Sequence, residues 1–205
     1  MSKIEWKKDF KKLYFPPANP VLVEPPPMNY LMVDGHGDPN TSPAYQAALE
    51  ALFSLAYTLK FAIKKAGGPE YTIFPLEGLW WVADMAQFTT SDKSAWDWTM
   101  MIAQPEAVSV EGLEQARAAA LKKKSLPALE QVRFERFEEG LCAQVMHTGP
   151  YSAEGPTIAR LHAFIAAQGC QRAGKHHEIY LGDVRRTTPE KLKTVIRQPM
   201  ARGTG

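Results

Sequence analysis

The sequence predicts an α+β domain: two tandem β-α-β-β modules whose strands merge into one curved antiparallel sheet, with two long helices on one face and a ligand groove on the other. Three observations carry this. Segments with strand and helix periodicity follow each other as strand, helix, strand, strand, and then repeat that order. Short echoes accompany the repeat: "IAQP" at 102–105 matches "IRQP" at 196–199, and "TIFPLEG" at 72–78 resembles "EIYLGD" at 178–183 in strand-and-turn form. A chain of 205 residues that is 45% hydrophobic is also long and apolar enough to bury a real core.

Residues 1–27 read as an N-terminal arm. Within it, 3–14 form an amphipathic helix with Trp6, Phe10 and Leu13 on one side and lysines on the other, suited to lying against its own domain. The prolines of 16–27 stop that helix. The remainder, 28–205, reads as one domain, with modules at 28–110 and 127–200 joined by a helix near 111–124. "MNYLMVDG" (28–35) is a strand. Ser42 and Pro43 supply an N-cap and first helical residue. Tyr45, Leu49, Leu52, Ala56, Leu59 and Ile63 then form an apolar stripe, with Phe53, Tyr57 and Phe61 as a second stripe beside it, so this helix is expected to be covered over a wide face. "GGP" at 67–69 ends it. "YTIFPL" and "GLWWVADM" read as two strand-like stretches joined at Glu77-Gly78, "TTSDKS" (89–94) as a turn, and "AWDWTMMI" (95–102) as a further strand.

In the second half, 132–137 and 141–149 are strands joined at Glu139-Gly140. Residues 152–169 carry a helix with Ile158, Leu161 and Ile165 inward and Gly169 as its stop. "HHEIYL" and 191–199 are strands.

Several function classes are excluded as expectations. A net charge of +2 does not announce a nucleic-acid partner, and the lysines at 122–124 read as a solvated helix end. No apolar run has membrane-spanning length, and the N-terminus lacks the apolar segment of a signal peptide, so a cytoplasmic protein with no membrane partner is expected. Cys142 and Cys170 fit no metal or redox spacing, and His176 and His177 point to opposite faces of one strand, so no metal and no cofactor is expected. The Gly-x-Gly in "GHGDP" (35–39) lacks the context of a nucleotide site. The oligomeric state is left open.

The candidate site comes from "HHEIYLGD" at 176–183. Alternation puts Ile179 and Leu181 on one face, suited to packing under the helices, and Glu178 and Tyr180 on the other, facing the groove, with His176 on the same side. Tyr71, Trp80, Trp81, Trp96, Trp98 and Tyr151 are available as groove walls. Aromatic walls around a carboxylate suit a flat, lipophilic or cationic molecule. Desolvation would let Glu178 act in proton transfer. Aromatic rings also dominate cores, so each has that second reading. Glu77 is a second candidate carboxylate.

The segments "HHEIYLGDVRRTTPEKLKTVIRQP" and "HTGPYSAEGPTIARLHAFI" resemble the GyrI-like family, the effector-binding domain of drug-sensing transcription activators. "PLEGLWW", "WDWTMMIAQPE" and "WKKDFKKLYFPP" extend the likeness, over nearly the whole chain, to a stand-alone branch similar to cyclopropanoid cyclopropyl hydrolases. The resemblance implies the duplicated β-α-β-β (SHS2-type) fold and a central groove for aromatic or cationic small molecules. It makes the glutamate of "EIYL", here Glu178, the recurrent ligand partner. By the same resemblance the chain would hydrolyse cyclopropanoid DNA-alkylating compounds in an aromatic cage, a xenobiotic protection. Water would open the cyclopropane, Tyr180 or a protonated Glu178 would serve as acid, and Glu178 or Glu77 would orient the water. Tyr71, Trp80, Trp81, Trp98, Tyr151, Glu77 and His176 are then the ligand-binding candidates, and Glu178 and Tyr180 the catalytic ones. A non-catalytic drug-binding or sequestering module is the alternative, and a protein-binding inhibitor a third. About 27 residues before the first strand are too few for a helix-turn-helix reader, so direct transcription control is not expected.

Overall fold

Two β-α-β-β repeats organise the chain, and their innermost strands meet at the middle of one sheet. The structure, a computed structural model, describes residues 3–85, 93–123 and 126–203. The arm contains α1 (Trp6–Asp9), α2 (Lys11–Tyr14) and a short strand β1 (Val21–Val23). The first repeat is β2 (Met28–His36), α3 (Pro43–Lys65), β3 (Leu76–Trp81) and β4 (Asp97–Gln104). Helix α4 (Val110–Lys123) and strand β5 (Arg133–Phe137) lead to the second repeat: β6 (Cys142–Thr148), α5 (Gly155–Ala167), β8 (His176–Tyr180) and β9 (Lys193–Arg202), with β7 (Cys170–Arg172) inserted after the helix.

The open antiparallel sheet runs β1-β6-β9-β8-β3-β4-β2-β5, with β7 also paired to β9. The flanking strands are exchanged. β1 precedes the first repeat yet pairs with β6 of the second, and β5 precedes the second yet pairs with β2 of the first. β5 and β6, adjacent in sequence, therefore sit near opposite ends of the sheet.

Helix α3 starts as its sequence demands. Ser42 caps it by accepting a hydrogen bond from the Tyr45 amide, and Pro43 occupies the first turn. Gly67, at φ +78°, ends it where a side chain would be strained. Leu52, Ala56 and Leu59 are buried, but Tyr57 and Phe61 are exposed. The second stripe is thus mostly surface, contrary to the expected wide burial. The arm is not one helix either: it breaks at Phe10 (φ −118°, ψ 31°) into two single turns. The turn expected at 89–94 lies, for 89–92, outside the described residues.

Register decides which residues share a face. One row across the sheet reads Val145, Ile196, Glu178, Gly78, Met100 and Val33. The row one residue over reads Met146, Val195, Ile179, Glu77, Met101 and Met32. In the first row Val145 and Ile196 pack with Leu161 and Ile165 of α5. On the same face Tyr45 of α3 meets Trp98 edge-on at 5.3 Å and lies 6.1 Å from Trp80. Both long helices therefore share one face, and Glu178 is on that face, between the strand covered by α5 and the strands covered by α3. The expected sides are reversed: Ile179 lies on the opposite face, beneath the arm. There Gln144 donates to the Lys12 carbonyl, Arg197 to the Leu13 carbonyl, and the Met146 amide to the Pro17 carbonyl. A sheet covered on both sides needs apolar residues on both, so Ile179 did not mark the helix face.

β3 corrects a second expectation. Glu77-Gly78 is not a turn between two strands but the middle of one, paired to β4 and β8 along its length.

Candidate functional site

Two glycines make room for the site. A Cβ at Gly78 would lie 2.8 Å from the Trp80 indole nitrogen, and one at Gly35 would lie 2.1 Å from the Trp98 ring. With no side chain at either position, both indoles lie flat against the strands. Trp80 can then reach across to β8, where Nε1 donates to Tyr180 Oη at 3.0 Å. Tyr180 Oη donates in turn to Glu178 Oε2 at 2.7 Å, while His176 Nε2 lies 3.2 Å from Glu178 Oε1. Around this chain of bonds, Tyr151 meets Tyr180 edge-on at 5.6 Å and Trp96 leans on Trp80 at 5.3 Å. Lys93 Nζ lies 4.9 Å from the Trp96 ring.

The electrostatics follow from these bonds. Burial alone would raise the Glu178 pKa, but hydrogen bonds from His176 and Tyr180 and the charge of Lys93 reverse this and hold it below its ordinary value. Glu178 is therefore a carboxylate at neutral pH, with 12% of its side chain open to solvent. Burial and the Glu178 charge push the Tyr180 phenol well above its ordinary range, so it stays a donor. Its proton is committed to Glu178. Burial and the carboxylates of Glu154 and Glu178 carry Tyr151 up to about 12.

Of the residues singled out from sequence, Glu178, Tyr180, Trp80, Trp96, Trp98, Tyr151 and His176 are brought together here. Three are elsewhere. Trp81 points away from Trp80, to the opposite face of β3, and carries Lys175 Nζ 3.3 Å over its ring. Tyr71 is buried in the bridge between Ile4 and the segment before β3. Glu77 is fully buried on the arm side, where it accepts from Tyr14 Oη (3.0 Å) and Tyr30 Oη (3.4 Å) and lies 3.0 Å from His177 Nε2. His177 Nδ1 continues to Glu139 (2.9 Å), and Arg197 closes the network on Glu139 (3.1 Å), Gln144 (3.1 Å) and the Leu13 carbonyl (3.0 Å).

Two residues of the site were missed. Tyr45 reads from sequence as part of the buried helical stripe. Glu154 reads as part of a helix start; its only signal is its place just before Gly155-Pro156, where the chain turns into α5. Among the described residues, no three His, Cys, Asp or Glu side chains are grouped to hold a metal ion.

Residues 18–200 match the family of GyrI-like small-molecule binding domains. The chain belongs to that family. Among solved structures it is similar to an uncharacterized conserved protein from Listeria innocua (TM-score 0.91, 42% identity, 97% of this chain and 100% of that one covered). It is also similar to a protein from the same organism described as a hydrolase (TM-score 0.88, 41% identity, 98% and 100% covered). The C-terminal domain of EcmrR shares the fold at 12% identity (TM-score 0.56, 90% and 98% covered). No curated protein sequence matches the chain. No helix among the described residues is long and apolar enough to cross a membrane.

Proposed function

We propose that this GyrI-like domain binds flat aromatic, lipophilic or cationic compounds between α3 and α5, and opens cyclopropanoid compounds there by adding water. One observation carries the reading: an ionised carboxylate, Glu178, is held by Tyr180 and His176 on the helix face of the sheet, with Tyr45, Trp80, Trp98 and Tyr151 grouped about it. The similar hydrolase from Listeria innocua supports it.

The rings stack on the ligand and exclude water, each good contact contributing about 0.5–1.5 kcal/mol. Glu178 orients a water molecule and accepts its proton as oxygen bonds to the cyclopropane carbon. The strained carbon–carbon bond breaks, its electrons flow into the conjugated carbonyl, and the resulting phenolate takes a proton from solvent water to become a phenol while Glu178 returns the proton it accepted to solvent. Tyr180 and His176 position Glu178; with its proton committed to Glu178, Tyr180 is poorly placed to serve as the acid. Ring strain supplies much of the driving force, so positioning accounts for much of the catalysis.

An ultraviolet time course with a spirocyclopropyl-dienone compound tests this. Loss of the dienone chromophore at catalytic protein levels, slowed at least about tenfold in Glu178→Gln and weakened in Trp80→Ala, is expected. A persisting chromophore with quenched tryptophan fluorescence would leave a sequestering module. Neither reaction nor binding would remove the groove assignment itself.

A further inference from the structure

Glu154 occupies the N-cap position of α5 but does not cap it: its side chain makes no hydrogen bond to the helix amides. A carboxylate at a helix N-terminus ordinarily turns back to those amides and is stabilised by them. Glu154 turns instead into the gap beside Glu178 and Thr194. It is 4% exposed, and among the described residues no donor reaches its Oε1; Thr194 Oγ1 is also without a hydrogen bond. Both Glu178 oxygens, by contrast, are already engaged by His176 and Tyr180.

Two carboxyl groups this close cannot both be ionised cheaply. Burial, then the negative charge of Glu178, raise the Glu154 pKa to about 9, while the same surroundings hold Glu178 low. The charged and titratable groups facing the pair are Lys93, Tyr45 of α3, Tyr151 before α5, and His176 and Tyr180 of β8. His147 of β6 is turned to Thr157 and the Pro150 carbonyl.

We infer that Glu154 is the second carboxyl of the ligand site, that it and Glu178 share one proton, and that a flat delocalised cation displaces this proton on binding. The pair thus selects by charge. A neutral ligand meets a singly charged pair that keeps its proton. A cation converts the pair to two carboxylates, so its affinity depends on pH. This rests on reading the groove as the ligand site, but not on the hydrolysis.

Calorimetry at pH 7.5 in buffers of different ionisation enthalpy, with thioflavin T as the flat cation and its uncharged N-demethylated parent as the neutral partner, tests it. Thioflavin T is expected to release about one proton, its affinity rising up to about tenfold per pH unit and levelling near pH 9. The neutral dye is expected to release none. Glu154→Gln keeps the shape and is expected to bind thioflavin T with no pH slope, which separates Glu154 from a proton on His176. No proton release by the native protein, or an unchanged slope in Glu154→Gln, would overturn the shared proton while leaving the groove standing. Failure of both dyes to bind would overturn the groove and the shared proton together.

Discussion

Glu77 and Glu178 stand one row apart on adjacent central strands, yet their faces treat them in opposite ways. Glu77 is closed off: two tyrosines and His177 satisfy it, and Arg197 and Glu139 extend the network to the arm. Glu178 is part open, and beside it lies a carboxyl with an oxygen that no donor among the described residues satisfies. A carboxylate whose partners are complete holds the fold. On the proposed function, one whose surroundings are incomplete is the one a ligand would complete. Burial alone does not separate the two, since Glu154 is nearly as buried as Glu77.

Substitutions can break this contrast, the largest effect first. Arg197→Met leaves Glu139 buried without its cation and frees the Leu13 carbonyl. A loss of about 3–5 kcal/mol is expected in urea unfolding, with faster amide exchange in the arm. Glu77→Gln and Glu178→Gln make the same chemical change on opposite faces. The first is expected to cost about 1–3 kcal/mol, because the amide cannot satisfy Tyr14, Tyr30 and His177 together. The second is expected to leave stability unchanged or raise it, because without the Glu178 charge Glu154 no longer has to be held protonated so far above its ordinary pKa. Gly35→Ala drives a methyl group into the Trp98 ring, with an expected cost of about 1–3 kcal/mol and weaker ligand binding. Phe61→Ser changes an exposed ring of α3, and a shift within about 0.5 kcal/mol is expected.

Acid sharpens the contrast. Burial would raise the Glu139 pKa, but His177 and Arg197 hold it at about 2, below its ordinary 4.5. The unfolded chain binds this proton first, so Glu139 stabilises the fold above about pH 4.5 and loses that contribution as pH falls toward 2. Burial works against the His177 cation, but Glu139 and Glu77 raise its pKa, so its contribution is full below the ordinary 6.5 and lost as pH rises through the raised value. Glu154 has the same sign as His177. Its raised pKa makes it increasingly destabilising from the ordinary 4.5 up to about 9, so Glu154→Gln should gain most over the native protein at alkaline pH. Thermal melts from pH 2 to pH 9.5 check all three.

The repeats, α3 with its Ser42-Pro43 start, α5 with its Gly169 stop and the β8 alternation were all legible in the sequence, because each depends on local periodicity or capping. The strand exchange was not: pairing of β1 with β6 and β5 with β2 is set by contacts more than a hundred residues apart. Gly78 was misread because a glycine beside a charge resembles a turn, whereas its role is to clear space for the Trp80 indole. The faces were reversed because the arm supplies apolar cover, through Trp6, Leu13 and Tyr14, that alternation within one strand cannot reveal. Glu154 stayed hidden because its meaning lies in a cap it does not make.

The most direct measurement is the dienone time course run side by side on Glu178→Gln and Glu77→Gln, with a thermal melt of each. Glu178→Gln should lose turnover at an unchanged or higher melting temperature, and Glu77→Gln should melt lower while the folded fraction keeps its rate. Full turnover in Glu178→Gln, or turnover lost in a Glu77→Gln that melts like the native protein, would contradict the division of the two faces.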